Sequence, residues 1–186
     1  MRSNSIRNMV TTAILIALTI VFQLLRPVLG GTNPISTYII GSLVNLALIV
    51  AACAVGLVSG VSVAVAAPLI ALWQGHATLP MLPWIIAGNL VLVVIYALFA
   101  IKGRDSLKVQ WGRFATVGVV ATLVKFVVMA VGQALVLTSA KGLAFPVALG
   151  TGATAQVVQI ITGIIGMILA GLILPALPAS VVGKNA

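Results

Sequence analysis

Residues 114–137 read FATVGVVATLVKFVVMAVGQALVL, an apolar run whose single charge, Lys125, sits near its centre. A helix needs about 20 mostly apolar residues to cross a bilayer. In lipid every backbone polar group must be satisfied inside its own segment, so a run of this length implies a helix. Four similar runs precede it, over residues 8–25, 37–55, 61–73 and 83–101, and one follows, over 147–174. The breaks between them carry turn and helix-stop residues. They are Arg26-Pro27, Gly30-Gly31-Thr32-Asn33-Pro34, the cluster from Gly56 to Gly60, Gln74 to Thr78, the polar stretch from Lys102 to Gly112, Ser139 to Pro146, and Pro175 with Pro178. The expectation is an all-α integral membrane protein, with six transmembrane helices in one bundle spanning residues 1–186.

Composition agrees. Of 186 residues, 62% are apolar and 6% charged, with ten Lys and Arg against one acidic residue, Asp105. Such a balance belongs to membrane proteins rather than soluble domains. The basic residues are too scattered between apolar runs to form a nucleic-acid stripe. Their distribution instead sets topology. With the N-terminus cytoplasmic, the inside carries Arg2, Arg7, Lys102, Arg104, Lys108, Arg113 and Lys184, and the outside only Arg26 and Lys141. Both termini are therefore expected in the cytoplasm. Reading 37–73 as one irregular span would give five spans, and the charges disfavour that. The basic N-terminus followed by an apolar run resembles a signal peptide. The run is longer than a signal core and lacks a small-x-small cleavage site, so it reads as a retained first span. Cys53, alone in an apolar run, reads as a small packing residue.

The lack of carboxylates narrows function. Ion-coupled transporters use intramembrane Asp or Glu, and no predicted span contains one. Polar residues inside the spans are the candidates for solute contact: Asn45, Asn89, Lys125, Gln133, Gln156 and Gln159. At about 1.5 Å rise per residue, Asn45, Asn89 and Gln156 lie roughly 10–15 Å from the outer ends of their spans. Gln133 is shallower, while Lys125 and Gln159 are deeper. Lys125, Met129 and Gln133 share one helix face, as do Gln156, Gln159 and Gly163. Asn89, Leu92 and Tyr96 share a third. Single Asn and Gln residues also serve as interhelical hydrogen bonds; their shared depth favours a pocket. Lys125 is the sharpest case: an intramembrane cation faces a cavity or a partner, which favours solute contact, and a structural tie, with the amine neutral or bonded to carbonyls, is the competing reading. In the outer loops Asn33, Gln74, His76 and Trp84 are candidate contacts, with Trp also a common interface anchor. His76 has no Cys, Asp or Glu nearby, so no metal site is expected.

In the first span Ala13-Ile14-Leu15-Ile16-Ala17 places two alanines on one face, a notch where another helix can approach closely. Routine internal packing is the competing reading. With this motif behind a short basic tail, six predicted spans, and Pro80-x-x-Pro83-Trp84-Ile85-Ile86-Ala87-Gly88-Asn89 at the fourth, the chain resembles the S component of energy-coupling factor (ECF) vitamin transporters. That resemblance implies capture of a vitamin from outside and docking through Ala13 and Ala17 onto a transmembrane coupling subunit. Two cytoplasmic ATPases would supply energy, in a prokaryotic plasma membrane. No phosphate-binding loop is present in this chain, and no cofactor or enzymatic activity is expected of it. The absence of outer carboxylates disfavours a strongly cationic solute such as thiamine; riboflavin, pantothenate and folate exemplify the neutral or anionic alternative. A stand-alone permease or channel is the competing function. An intramembrane enzyme would need a nucleophile, an acid–base pair or a metal, and one loop His with one cytoplasmic Asp makes a poor set.

Overall fold

A computed structural model describes residues 2–31, 33–100 and 109–178. The segment Lys102 to Lys108, which includes Asp105, and Lys184 lie outside the described residues. Six α-helices follow one another: α1 Arg2–Val28, α2 Pro34–Val50, α3 Leu57–Trp73, α4 Leu82–Phe99, α5 Trp111–Lys141 and α6 Phe145–Ile173. Short turns of tighter or wider pitch extend α2 (Ala51–Val55), precede α4 (Leu79–Met81) and follow α6 (Leu174–Ala176). Five of the helical segments are long and apolar enough to cross a membrane, and α3 is a shorter apolar helix of 17 residues. By length and composition this suggests a multi-pass membrane protein.

Contacts fix the direction of each helix. Thr12 and Gln23 of α1 meet Ser59 and Ala67 of α3 respectively, so those two run parallel. Gly60 of α3 abuts Val93 of α4, and Asn89 of α4 reaches back to Ala64, an antiparallel pair. Gly118 of α5 lies under Tyr96 and Gly132 under Trp84, so α4 and α5 are antiparallel as well. Helix α6 returns along α5, with Gly163 on Thr122 and Gly171 on Trp111. The start of α1 and the end of α6 thus share one end of the bundle, called here the near end. The α1–α2, α3–α4 and α5–α6 connections lie at the far end.

The sequence suggests a reversal between α2 and α3 that uses five residues, Gly56 to Gly60. It occurs at Gly56 alone. The chain leaves α2 through a wide turn in which the Gly56 amide donates to the Ala51 carbonyl at 3.0 Å. Gly56 then adopts φ 131°, open to glycine and strained for other residues, and α3 starts at Leu57. Gly60 serves packing instead. A Cβ there would meet Val93 Cγ1 at 2.5 Å, so its bareness lets α3 and α4 approach closely.

The apolar core is concentrated toward the near end. Leu48, Ile49, Val63, Leu92, Val93, Phe114 and Leu174 pack in one buried cluster, with the Tyr96 and Phe114 rings edge to face at 5.5 Å. The far end holds a much smaller cluster, Ala134, Leu137 and Ala148. The outward surface is apolar too: Met9 is 67% exposed, Val58 82% and Leu172 62%. A surface of that kind is stable facing hydrocarbon rather than water.

Small residues set the helix spacing. At Gly166 an added Cβ would lie 2.6 Å from Asn45 Cβ and 3.1 Å from both the Leu46 amide and the Ser42 carbonyl. Those are backbone or near-backbone atoms of α2, so relief requires moving a helix. Gly166→Ala is therefore expected to cost about 1–3 kcal/mol, the usual penalty for overpacking. Thermal unfolding in detergent reads it as a lower midpoint. An unchanged midpoint would show that α2 and α6 are free to separate.

Candidate functional site

A chain of hydrogen bonds ties three helices together at the middle of the bundle. Lys125 Nζ of α5 donates to Asn45 Oδ1 of α2 at 2.7 Å, and Asn45 Nδ2 donates to Thr162 Oγ1 of α6 at 3.2 Å. The Thr162 hydroxyl in turn donates to the Val158 carbonyl within its own helix at 2.9 Å. All three residues are buried: Lys125 is 4% exposed and Asn45 and Thr162 2% each. Asn45 fits between the cation and the hydroxyl because an amide presents an acceptor at one end and donors at the other. No acidic side chain occurs among the described residues, so Lys125 Nζ meets only neutral dipoles there. An ammonium has three donors, and the bond to Asn45 uses one.

From this triad a polar column climbs α5 toward the far end. Met129, buried against Gly88 of α4, lies one turn above Lys125. One turn higher, Gln133 Oε1 accepts from Gln156 Nε2 of α6 at 3.2 Å. Eight residues separate Lys125 from Gln133, or about 12 Å along the helix. Trp84 of α4 packs against Gly132 at the same level, where a Cβ would collide with the indole. Several polar atoms along these helices are buried without a hydrogen-bond partner among the described residues: Gln156 Oε1, Thr122 Oγ1 and Tyr96 Oη. Thr122 lies one turn below Lys125 on the same face of α5. An orphaned buried acceptor costs free energy, and a ligand that donates to it recovers that cost.

Other candidate residues stand apart from this column. Asn89 is buried, and its Nδ2 reaches the Ala64 carbonyl of α3 at a long 3.5 Å. Pro68 explains that contact. Lacking an amide hydrogen, it leaves the carbonyl four residues back without its helical donor, and a neighbouring helix supplies one. Asn33 caps α2, accepting from the Ser36 amide at 2.8 Å and donating to the Leu29 carbonyl at 2.6 Å. Gln159 is half-buried beside Thr162. Gln74 and His76 sit beyond the far end of α3, the outer atoms of Gln74 buried and without partners among the described residues. They neighbour the end of α1, where Gln23 Nε2 donates to the Ala67 carbonyl at 2.9 Å and Gln23 Oε1 is orphaned. Partial burial, and after it the Arg26 guanidinium, holds the His76 imidazole below its ordinary pKa, which keeps it neutral at pH 7. The ten proposed contacts therefore divide. Asn45, Lys125, Gln133, Gln156 and Trp84 lie at successive levels between α2, α4, α5 and α6, with Met129 packed between the Lys125 and Gln133 levels. Gln74 and His76 belong to a second polar cluster at the far ends of α1 and α3, and Asn33, Asn89 and Gln159 belong to neither group.

Thr162, Thr122 and Gln23 are not apparent from the sequence. Threonine is common in apolar helices and carries little signal by itself. The usable hint is spacing: Thr122 precedes Lys125 by three residues and Thr162 follows Gln159 by three, which puts each on a polar face already identified.

Ala13 and Ala17 are both exposed on the outward face of α1, beside exposed Ile14 and Leu18, while Leu15 and Thr19 turn inward. They are not used in packing this bundle. No group of three or more metal-ligating side chains comes together among the described residues. No family model, curated protein or solved structure matches the chain.

Proposed function

We propose that the protein is the substrate-binding S component of an ECF-type importer in a prokaryotic plasma membrane, with both termini cytoplasmic. It binds a neutral or anionic vitamin-like solute in the column headed by Trp84, Gln133 and Gln156 and floored by Lys125, and hands it over while docked to a coupling subunit driven by two ATPases. The observation that carries this reading is the buried Lys125, whose described partner is a neutral amide. A cation held in apolar surroundings is costly, and an entering anion converts that cost into affinity. The distribution of the core supports the same reading: apolar packing is dense at the near end and sparse at the far end, where Gln133 and Gln156 meet and Gln156 Oε1 has no described partner. A site with a few convergent polar groups in mostly apolar walls is the usual form of a small-molecule pocket. The outward Ala13–Ala17 notch supplies a surface for the coupling subunit.

Mass spectrometry of small molecules retained through purification in mild detergent tests the proposal. One carboxylate-bearing or neutral micronutrient is expected at close to one per chain. Absence of any solute would count against the binding role. Uptake by the chain alone in liposomes, without ATPases, would favour the stand-alone permease.

A further inference from the structure

A groove of about 350 Å³ runs along the outside of the bundle at the near end, between α4 and α5. Ile95 and Phe99 form one wall, and Arg113, Thr116, Val117 and Val120 the other. The α5 residues recur at spacings of three and four, one helix face, and cover about 10 Å from Arg113 toward the bundle middle. One end of the groove is cationic and the rest is apolar. Phe99 and Val120 are about half exposed, so it opens outward rather than into the solute column.

We infer that this groove binds one anionic phospholipid, its phosphate at Arg113 and an acyl chain along Val117, Val120 and Ile95. Charge complementarity selects that occupant. Arg113 Nε donates to the Phe99 carbonyl at 2.6 Å, which fixes the guanidinium at the mouth. That bond uses one of five donors, and no acidic side chain is available among the described residues to take the others. The first turn of α5 reinforces the site: no side chain caps it, so its amide groups add positive potential beside Arg113. Trp111 stands half exposed at the same level, an ordinary position for an interfacial anchor. The inference is independent of the solute reading, because none of the groove residues belongs to the Lys125 column.

The test places the whole chain in nanodiscs of mixed phosphatidylglycerol and phosphatidylcholine and reads retained lipid by native mass spectrometry. The wild type is expected to keep one phosphatidylglycerol. Arg113→Gln should lower the preference for phosphatidylglycerol about fivefold, the scale of one basic residue at an anionic surface. Arg113→Lys keeps the charge without the Nε bond and should retain the preference. Val120→Trp, at an exposed position, should fill the groove and release both lipids. Unfolding midpoints confirm that each variant is folded; if Arg113→Gln does not fold, Arg113→Lys and Val120→Trp decide. Wild-type preference in Arg113→Gln, or lipid retention in Val120→Trp, would overturn the proposal. So would a photo-crosslinker at position 120 that captures a protein instead of lipid in cells.

Discussion

Replacing Ala13 and Ala17 together by Phe is expected to abolish ATP-driven uptake and leave solute binding intact. The two effects separate because the alanines lie on the outward face of α1 while the polar column lies between α2, α4, α5 and α6. Helix α1 packs on α2 and α3 through its other face, where Leu15, Thr19 and Gln23 are buried. Two rings added outside that face meet no atom of this bundle, so the unfolding midpoint should hardly move, as for surface substitutions in general. A coupling helix that approaches through the notch meets them directly. Small-residue contacts depend on close backbone approach, and two Phe side chains remove it. The expected loss of uptake is more than about tenfold, what 1.4 kcal/mol of docking energy carries. Leu24→Phe, also outward on α1, is the control that should transport normally. Normal uptake in the double variant would defeat the docking role of the notch. Loss of both uptake and solute binding would show that α1 shapes the pocket instead.

The helical architecture was legible because its signal is long. Six apolar runs broken by Pro, Gly and charge leave little choice of fold when backbone groups must bond within each segment. The use of single residues was harder to read. Gly56 and Gly60 look alike in the sequence, yet one bends the chain through a positive φ and the other lets α3 touch α4. Asn33, Asn89 and Asn45 look equally available to a solute. In the structure the first caps a helix, the second answers the carbonyl that Pro68 leaves bare, and the third bridges Lys125 and Thr162. Telling them apart needs the partner from another helix, which spacing along one helix does not provide. Lys125 was the exception, since a lone cation in an apolar run is informative wherever its partners lie.

Lys125→Met follows from that exception and should produce the largest change in solute affinity. The substitution keeps an unbranched chain beside Gly88 and Met129 and removes only the charge and its donors. Two terms act on stability. Burying a cation at the middle of a membrane helix costs about 2.5–3.5 kcal/mol, and Met relieves it. Asn45 Oδ1 then loses its described partner, which costs about 1–3 kcal/mol, although its Nδ2 keeps Thr162. These nearly cancel, so the unfolding midpoint should stay close to the wild type or rise slightly. Binding has no such compensation. A hydrogen bond to a charged group contributes about 1.5–3 kcal/mol, so affinity for an anionic solute should fall about 10- to 150-fold. A neutral analogue with the carboxylate amidated should lose much less. Titration calorimetry with the two solutes reads the difference, and the contrast separates the pairing role from a structural one. If Lys125 only ties α5 to α2, both solutes weaken equally and the midpoint falls. If the variant binds the anionic solute within about twofold of the wild type, less than one charged hydrogen bond carries, Lys125 is not the floor of the pocket. The cluster of Gln23, Arg26, Gln74 and His76 then becomes the site to test.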